Sequence, residues 1–195
     1  RFRNVTGVQT CALPIFKHWR VGPRSRVGVM GLGGLGHMGV KFAAALGADV
    51  TVFSHSDGKR SDALAMGAKN FIVAKGEEWN KDLVKSFDLV LNTVSAEIDI
   101  DPYLQLLDTD ATMVIIGLPG KPYEVRAGTM LNGRRNLAGS MIGGMPELQE
   151  MLNFCGEKSI VSDVEVISAD YINTAYDRAV ASDVKYRFVI DAKTF

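Results

Sequence analysis

The residues of this sequence that most clearly predict chemistry are the glycines of residues 31–36, GLGGLG. Glycine at position 31 permits a tight reversal from strand to helix, and glycine at 33 lets backbone N–H groups approach a pyrophosphate. Glycine at 36 lets the helix pack close to the strand, and the start of that helix presents free N–H groups to an anion. The spacing predicts a phosphate-binding turn with the candidate residues Gly31, Gly33, Gly34, Leu35 and Gly36. A glycine turn without a ligand has the same spacing, so the neighbouring elements must show whether this turn binds a phosphate.

A second candidate group is the polar loop 54–60, SHSDGKR. Units that bind NAD place an acidic residue here, about 20 residues past the glycine turn, for the adenosine ribose 2′-hydroxyl. This sequence has Ser54 instead, and the loop offers hydroxyls, an imidazole and two cations, which suit a 2′-phosphate. The loop therefore predicts NADP(H) as the cofactor. In the alternative interpretation Ser56 only caps a helix and the cations are solvated; Asp57 opposes phosphate binding unless it points to solvent.

The elements around the glycine turn form a βαβ unit, which favours dinucleotide binding. A strand is predicted over 27–30, a helix over 34–46 and a second strand over 49–53. Further strands are predicted over 71–73, 87–94, 112–117 and 137–142, with helices over 59–66 and 101–107. Apolar strands that alternate with helices predict an α/β fold with a Rossmann doubly wound parallel sheet.

The pattern changes after residue 143. A helix, a strand, a helix and a strand are predicted over 146–155, 164–167, 171–182 and 186–190. We expect these elements to be a C-terminal α+β piece that packs against a domain whose other part is missing from the sequence.

Residues 1–15 differ from the rest of the chain. They lack the apolar region and cleavage site of a signal peptide and show no periodicity. The stretch 5–15, VTGVQTCALPI, resembles the translation of a sequencing-library adapter. We expect 1–15 to be non-native and native sequence to begin near Phe16, inside a larger gene, at the end of a helix. A genuine N-terminal arm is the alternative.

The composition argues against several functional classes. The 22 basic and 22 acidic residues cancel, which disfavours binding to nucleic acid or to a membrane surface. No apolar run approaches the roughly 18 residues of a membrane span. The two cysteines, Cys11 and Cys155, form neither a disulfide framework nor a CxxC pair. We expect a cytoplasmic protein whose partner is a small molecule, with no nucleic acid and no membrane.

Four stretches carry a family resemblance. They are 27–41 (VGVMGLGGLGHMGVK), 86–94 (SFDLVLNTV), 137–144 (LAGSMIGG) and 183–191 (DVKYRFVID). In this order they resemble the zinc-dependent medium-chain alcohol dehydrogenases of the cinnamyl alcohol dehydrogenase group, and the resemblance extends from Phe16 to the end. It implies an NADP-binding Rossmann domain over 16–143 and a C-terminal segment of the catalytic domain over 144–195.

The resemblance also implies where NADP would lie. Ser54, Ser56 and Lys59 would bind the 2′-phosphate, and His55 would lie beside the adenine. Arg187 would reach the pyrophosphate, unless it is only a surface residue of a strand. The residues expected against the nicotinamide half, partly through backbone groups that hold its carboxamide, are Thr93, Val94, Gly117, Leu118, Ser140, Met141 and Ile142.

Zinc is the point at which the sequence departs from the resemblance. In such enzymes a catalytic zinc polarises the substrate oxygen, and clustered cysteines hold a second zinc. Their ligands lie in an N-terminal catalytic domain that this sequence lacks, and its histidines, His18, His37 and His55, are scattered. We interpret His37 as a structural residue at a helix start. We expect no catalytic residue and no metal ligand in this chain, and an apolar face where the absent domain would pack.

The predicted function is that of an NADP-dependent, zinc-type alcohol dehydrogenase or aldehyde reductase. In this chain it would be reduced to a fragment that binds NADP(H) without turnover. The parent enzyme would be a homodimer paired through the edge strand 137–142. The alternative is a free-standing NADP-binding module, which the segment after Gly144 disfavours. A methyltransferase of the same fold is disfavoured by the basic loop 54–60, because S-adenosylmethionine has no phosphate there.

Overall fold

Six strands of the chain form one parallel sheet. In this computed structural model, which describes residues 9–181 and 183–195, they are β1 (Arg26–Met30), β2 (Asp49–Ser54), β3 (Asn70–Val73), β4 (Phe87–Asn92), β5 (Leu107–Ile115) and β6 (Asn136–Gly139). Their order across the sheet is β3-β2-β1-β4-β5-β6. The order reverses between β1 and β4, the place at which sheets of this kind bind ligands. The Rossmann doubly wound sheet predicted from the sequence is confirmed.

Helices cover both faces of the sheet. They are α1 (Gln9–His18), α2 (Gly36–Ala45), α3 (Arg60–Ala65), α4 (Asp101–Leu104), α5 (Ala127–Leu131), α6 (Met145–Lys158) and α7 (Ile172–Val180). One core cluster joins α1, α2 and α6 to the sheet through Phe16, Phe42 and Met151. A second cluster includes Phe53 and Leu104. Because the sheet is covered on both faces, its central strands are buried and occur in the sequence as continuous apolar runs.

The register of the strands brings the predicted site to one edge of the sheet. Met30 of β1 pairs with Phe53 of β2 on one side and with Asn92 of β4 on the other. Asn92 pairs with Ile115, and Ile115 pairs with Gly139. The loops after β1, β2, β4, β5 and β6 therefore leave the sheet side by side.

Several elements differ from their predicted bounds. Strand β4 ends at Asn92 rather than at Val94, because the Asn92 side chain accepts a hydrogen bond from the Val94 N–H at 3.0 Å. Helix α4 ends at Leu104, and β5 begins earlier than predicted, at Leu107. Strand β6 ends at Gly139. Helix α5 was not predicted.

Helix α1 begins at Gln9 and so includes part of the stretch that we interpret as non-native. Ala12, Leu13 and Ile15 are buried in the first core cluster. Burial does not report the origin of a segment, so that interpretation stays a prediction. Residues 1–8 lie outside the described residues.

The C-terminal region packs on the sheet domain and adds a small sheet. Cys155 of α6 is buried in the same core cluster as α1 and α2. Strands β7 (Glu165–Ile167) and β8 (Phe188–Ile190) pair in parallel. The domain boundary at residue 144 stays a prediction. Among the described residues, no helix combines the length and the apolar character needed to cross a bilayer.

Candidate functional site

The glycine turn after β1 is shaped by two close approaches of backbone. Gly31 has φ +83°, a left-handed conformation that favours glycine, and its N–H donates to the Phe53 carbonyl at 2.9 Å. A Cβ on Gly36 would overlap the Gly31 carbonyl group, so only glycine lets α2 begin this close to β1. A Cβ on Gly33, by contrast, would meet nothing within 4 Å. The turn is therefore tight on the side of the sheet and open on the other.

The first turn of α2 opens onto this space. Leu35 precedes the helix and makes no capping hydrogen bond with its side chain. The free N–H groups and the positive dipole end of a ten-residue helix favour an anion at this position.

Arg187, which the family resemblance assigns to the pyrophosphate, lies beside the turn. Its Nη2 is 3.3 Å from the point that a Cβ on Gly34 would occupy. Its Nε is buried and has no hydrogen-bond partner among the described residues. Burial lowers the pKa of this guanidinium, because desolvation disfavours its charged form. A partly buried cation that forms no ion pair with a described carboxylate, next to free N–H groups, is a site that a phosphate would complete.

The two cations of the loop after β2 make different contacts. Arg60 binds the Asp57 carboxylate at 2.7 Å and donates to the Phe71 carbonyl at 2.8 Å. Asp57 therefore points to Arg60 and not into the open turn. Ser54 is half-buried, and its hydroxyl accepts from the Ser56 N–H at 3.4 Å. The N-cap position of α3 is Lys59, whose side chain makes no capping hydrogen bond, so Ser56 is not the residue at the start of this helix.

Lys59 joins this loop to the glycine turn. Its Nζ donates to the Leu32 carbonyl at 3.2 Å and lies 5.4 Å from the centre of the Tyr186 ring. No carboxylate forms an ion pair with Lys59 within the described part of the chain. His55 and Ser56 are exposed beside it. The predicted 2′-phosphate residues therefore lie together at the carboxyl end of β2, with one cation free of a carboxylate.

The end of β4 forms the wall opposite the turn. The Thr93 hydroxyl donates to the Met30 carbonyl at 2.7 Å. The Val94 side chain is 3.0 Å from the point that a Cβ on Gly31 would occupy. Asn92 is fully buried and donates through Nδ2 to the Tyr123 hydroxyl at 3.1 Å. Asn92 and Tyr123 were not among the predicted site residues, since only their long-range hydrogen bond shows that they hold this wall.

The residues predicted for the nicotinamide half lie at the same edge of the sheet but are poorly covered. Gly117 is buried against the Val94 carbonyl, where a Cβ would overlap it. The Ser140 N–H donates to the Ile115 carbonyl at 3.1 Å. The side chains that follow these backbone contacts are exposed: Leu118 by 87%, Met141 by 82% and Ile142 by 73%.

His37 lies beneath the turn. It is fully buried, its Nδ1 is 3.0 Å from the Gly33 carbonyl oxygen, and its ring stacks on Tyr186 at 4.9 Å. Burial lowers the pKa of His37, and this outweighs the opposing effect of the Gly33 carbonyl. The structural role that we inferred for His37 from the sequence stays a prediction.

Two comparisons of sequence place the chain among known proteins. Residues 34–157 match a family described as Zinc-binding dehydrogenase. The "NADP-dependent alcohol dehydrogenase C 1" of Mycolicibacterium smegmatis is 54% identical over 175 residues, which are 90% of this chain and 50% of that protein. The chain therefore spans about half the length of the curated relatives that it matches.

Two solved structures are similar to this chain in both fold and sequence. A cinnamyl alcohol dehydrogenase of Sorghum bicolor, SbCAD4, superposes with a TM-score of 0.89 at 42% identity, over 95% of this chain and 52% of that one. The Helicobacter pylori cinnamyl alcohol dehydrogenase, solved in complex with NADP(H), gives a TM-score of 0.86 at 33% identity, over 95% and 53%.

Proposed function

This chain belongs to the zinc-binding dehydrogenase family, and we propose that it is the coenzyme-binding part of an NADP-dependent alcohol dehydrogenase that reversibly reduces aldehydes to primary alcohols. The observation that carries this proposal is the partly buried guanidinium of Arg187, with its buried Nε, beside the open glycine turn. A pyrophosphate would supply a negative charge to pair with this cation. The names of the Mycolicibacterium smegmatis relative and of the Helicobacter pylori complex support the choice of NADP.

The loop after β2 supports NADP rather than NAD. A carboxylate at the end of this strand would repel a 2′-phosphate, and the chain has Ser54 there. Because Arg60 is held by Asp57, Lys59 is the cation of this loop that we assign to the phosphate.

We assign a dinucleotide to the turn and a binding role to each group of residues around it. The open side of Gly33 leaves room for the pyrophosphate, which the N–H groups of 33–36 and Arg187 would bind. Ser54, Ser56 and Lys59 would bind the 2′-phosphate, with His55 beside the adenine. The residues that we assign to the nicotinamide half are Thr93, Val94, Gly117, Leu118, Ser140, Met141 and Ile142. The bound coenzyme supplies the hydride chemistry.

The described residues do not fit the zinc that the family description implies. Within residues 9–181 and 183–195, no three His, Cys, Asp or Glu side chains cluster closely enough to hold a metal ion. We propose that this chain binds the coenzyme without turning over substrate.

We further propose that the whole enzyme pairs through β6. This strand lies at the edge of the sheet, and Leu137 on it is exposed. An uncovered strand edge can pair with a second copy. The expected cytoplasmic location stays a prediction.

A fluorescence titration of the purified chain with NADPH and NADH tests the coenzyme assignment. We expect NADPH to bind more tightly, and Lys59→Ala to raise its Kd about tenfold, the effect of losing one charge-assisted contact, without changing the Kd of NADH. Lys158→Ala, at an exposed lysine on α6, is the matched control. If Lys59→Ala leaves the ratio of the NADPH and NADH Kd values unchanged, that result contradicts NADP specificity. A folded chain that binds neither nucleotide would contradict the whole proposal.

Turnover is tested separately. With NADPH, cinnamaldehyde and added zinc, we expect no consumption of NADPH above background. Clear activity would show that this chain holds a catalytic centre that we have not identified.

A further inference from the structure

The carboxylate of Asp62, on α3, is shared by two residues from the C-terminal region. Lys185 Nζ lies 3.2 Å from its Oδ1 and 3.1 Å from its Oδ2, and the Tyr186 hydroxyl donates to Oδ2 at 2.9 Å. The Asp62 side chain is 22% exposed. Burial raises the pKa of this carboxyl, but the hydrogen bonds from Lys185 and Tyr186, together with the positive charges of Lys185 and Lys59, outweigh burial and hold the pKa below its ordinary value. Asp62 therefore carries its negative charge close to the coenzyme loop.

Asp62 is also positioned to pair with Lys59. Residues three apart are neighbours on a helical surface, and Lys59 is at the N-cap position of the helix on which Asp62 lies. An ion pair between them would take from the loop the one cation that we assign to the 2′-phosphate. The structure shows a different arrangement, in which Lys59 contacts the Leu32 carbonyl and the Tyr186 ring.

We propose that Lys185 and Tyr186 set the preference for NADPH over NADH by occupying Asp62, so that Lys59 stays available to a 2′-phosphate. Both act as positioning residues. Lys185 also neutralises the Asp62 carboxylate, which would otherwise repel the phosphate. This inference rests on the proposed function and adds to it two residues, far apart in sequence from the loop after β2, that control its charge.

The test uses Lys185→Met, which keeps the length of the side chain and removes its charge. In the full chain we expect the Kd of NADPH to rise about twofold to fivefold, within the range for a partly screened charge, while the Kd of NADH stays the same. Tyr186→Phe keeps the ring over Lys59 and removes the hydroxyl, and we expect a smaller change in the same direction. Lys193→Met, at an exposed lysine near the C-terminus, is the matched control.

The double variant Lys185→Met/Asp62→Asn separates this effect from a loss of structure. With the carboxylate neutralised, Lys59 is free again, so we expect NADPH affinity to return to that of the unaltered chain. Asp62→Asn alone should bind NADPH at least as tightly as the unaltered chain, which tests the inference even if Lys185→Met does not fold.

The outcomes are distinguishable. The inference is overturned if Lys185→Met leaves both Kd values unchanged, if it raises them equally, or if Asp62→Asn weakens NADPH binding. If the unaltered chain prefers NADPH and only the variants fail to respond, the proposed function survives. If the unaltered chain binds neither nucleotide, that result contradicts both this inference and the proposed function.

Discussion

The two halves of the candidate site differ in how completely this chain builds them. On the phosphate side, the glycine turn, Lys59 and Arg187 are held by backbone contacts, a hydrogen bond or burial. On the nicotinamide side, the backbone of Gly117 and Ser140 is fixed, but the side chains of Leu118 and Met141 are exposed. Coenzyme affinity and enclosure of the reacting ring are therefore separable properties, and we expect this chain to have mainly the first.

The largest effect is expected from Gly36→Ala. Its Cβ would overlap the Gly31 carbonyl group, so α2 must move away from β1, at a cost of roughly 2–4 kcal/mol in the free energy of unfolding. Gly33→Ala is the matched control for folding, since its Cβ meets nothing within 4 Å. We expect Gly33→Ala to leave the melting temperature unchanged. It should weaken the binding of both nucleotides, because its Cβ would occupy the space for the pyrophosphate. Thermal unfolding followed by circular dichroism, with titrations of both nucleotides, measures the pair. Equal melting temperatures for the two variants would contradict the assigned packing.

Arg187→Ala should have the next largest effect. Because the pyrophosphate is common to both coenzymes, we expect the Kd of NADPH and of NADH to rise together, by about tenfold to a hundredfold. The free chain should be no less stable than before, since the variant removes a cation whose buried Nε has no hydrogen-bond partner among the described residues. Arg20→Ala, at an exposed arginine after α1, is the control. A rise in the Kd of NADPH alone would show that Arg187 binds the 2′-phosphate and not the pyrophosphate.

The smallest effect is expected on the nicotinamide side. Met141 is 82% exposed, so Met141→Ser should change the Kd of either nucleotide by less than about twofold. A titration alongside Arg187→Ala compares the two halves directly. A larger loss at Met141 would show that this chain closes over the nicotinamide more fully than its surface indicates.

Sequence patterns predicted the sheet because its strands are short, parallel and buried. Such strands occur as apolar runs, and the glycine spacing after β1 located the turn. The bounds of β4 and β6 were less accurate, since they depend on single hydrogen bonds such as that from the Val94 N–H to Asn92. Helix α5 was missed.

The charges of the site could be predicted only in part. The types of Lys59 and Arg60 indicated a phosphate loop, but their order in sequence does not say that Asp57 holds Arg60. The contact of Lys185 and Tyr186 with Asp62 joins residues more than a hundred positions apart, and no local pattern reveals it. Arg187 was found through a motif, whereas its buried Nε is visible only in the fold.

The alignment of strand ends at one edge of the sheet has a consequence for how such a protein can diverge. Met30, Phe53, Asn92, Ile115 and Gly139 are linked by a continuous ladder, so each following loop starts from a fixed anchor. Insertions or exchanges in one loop leave the starting points of the others unmoved. A change in the loop after β2 therefore leaves unmoved the positions from which the segments after β5 and β6 start.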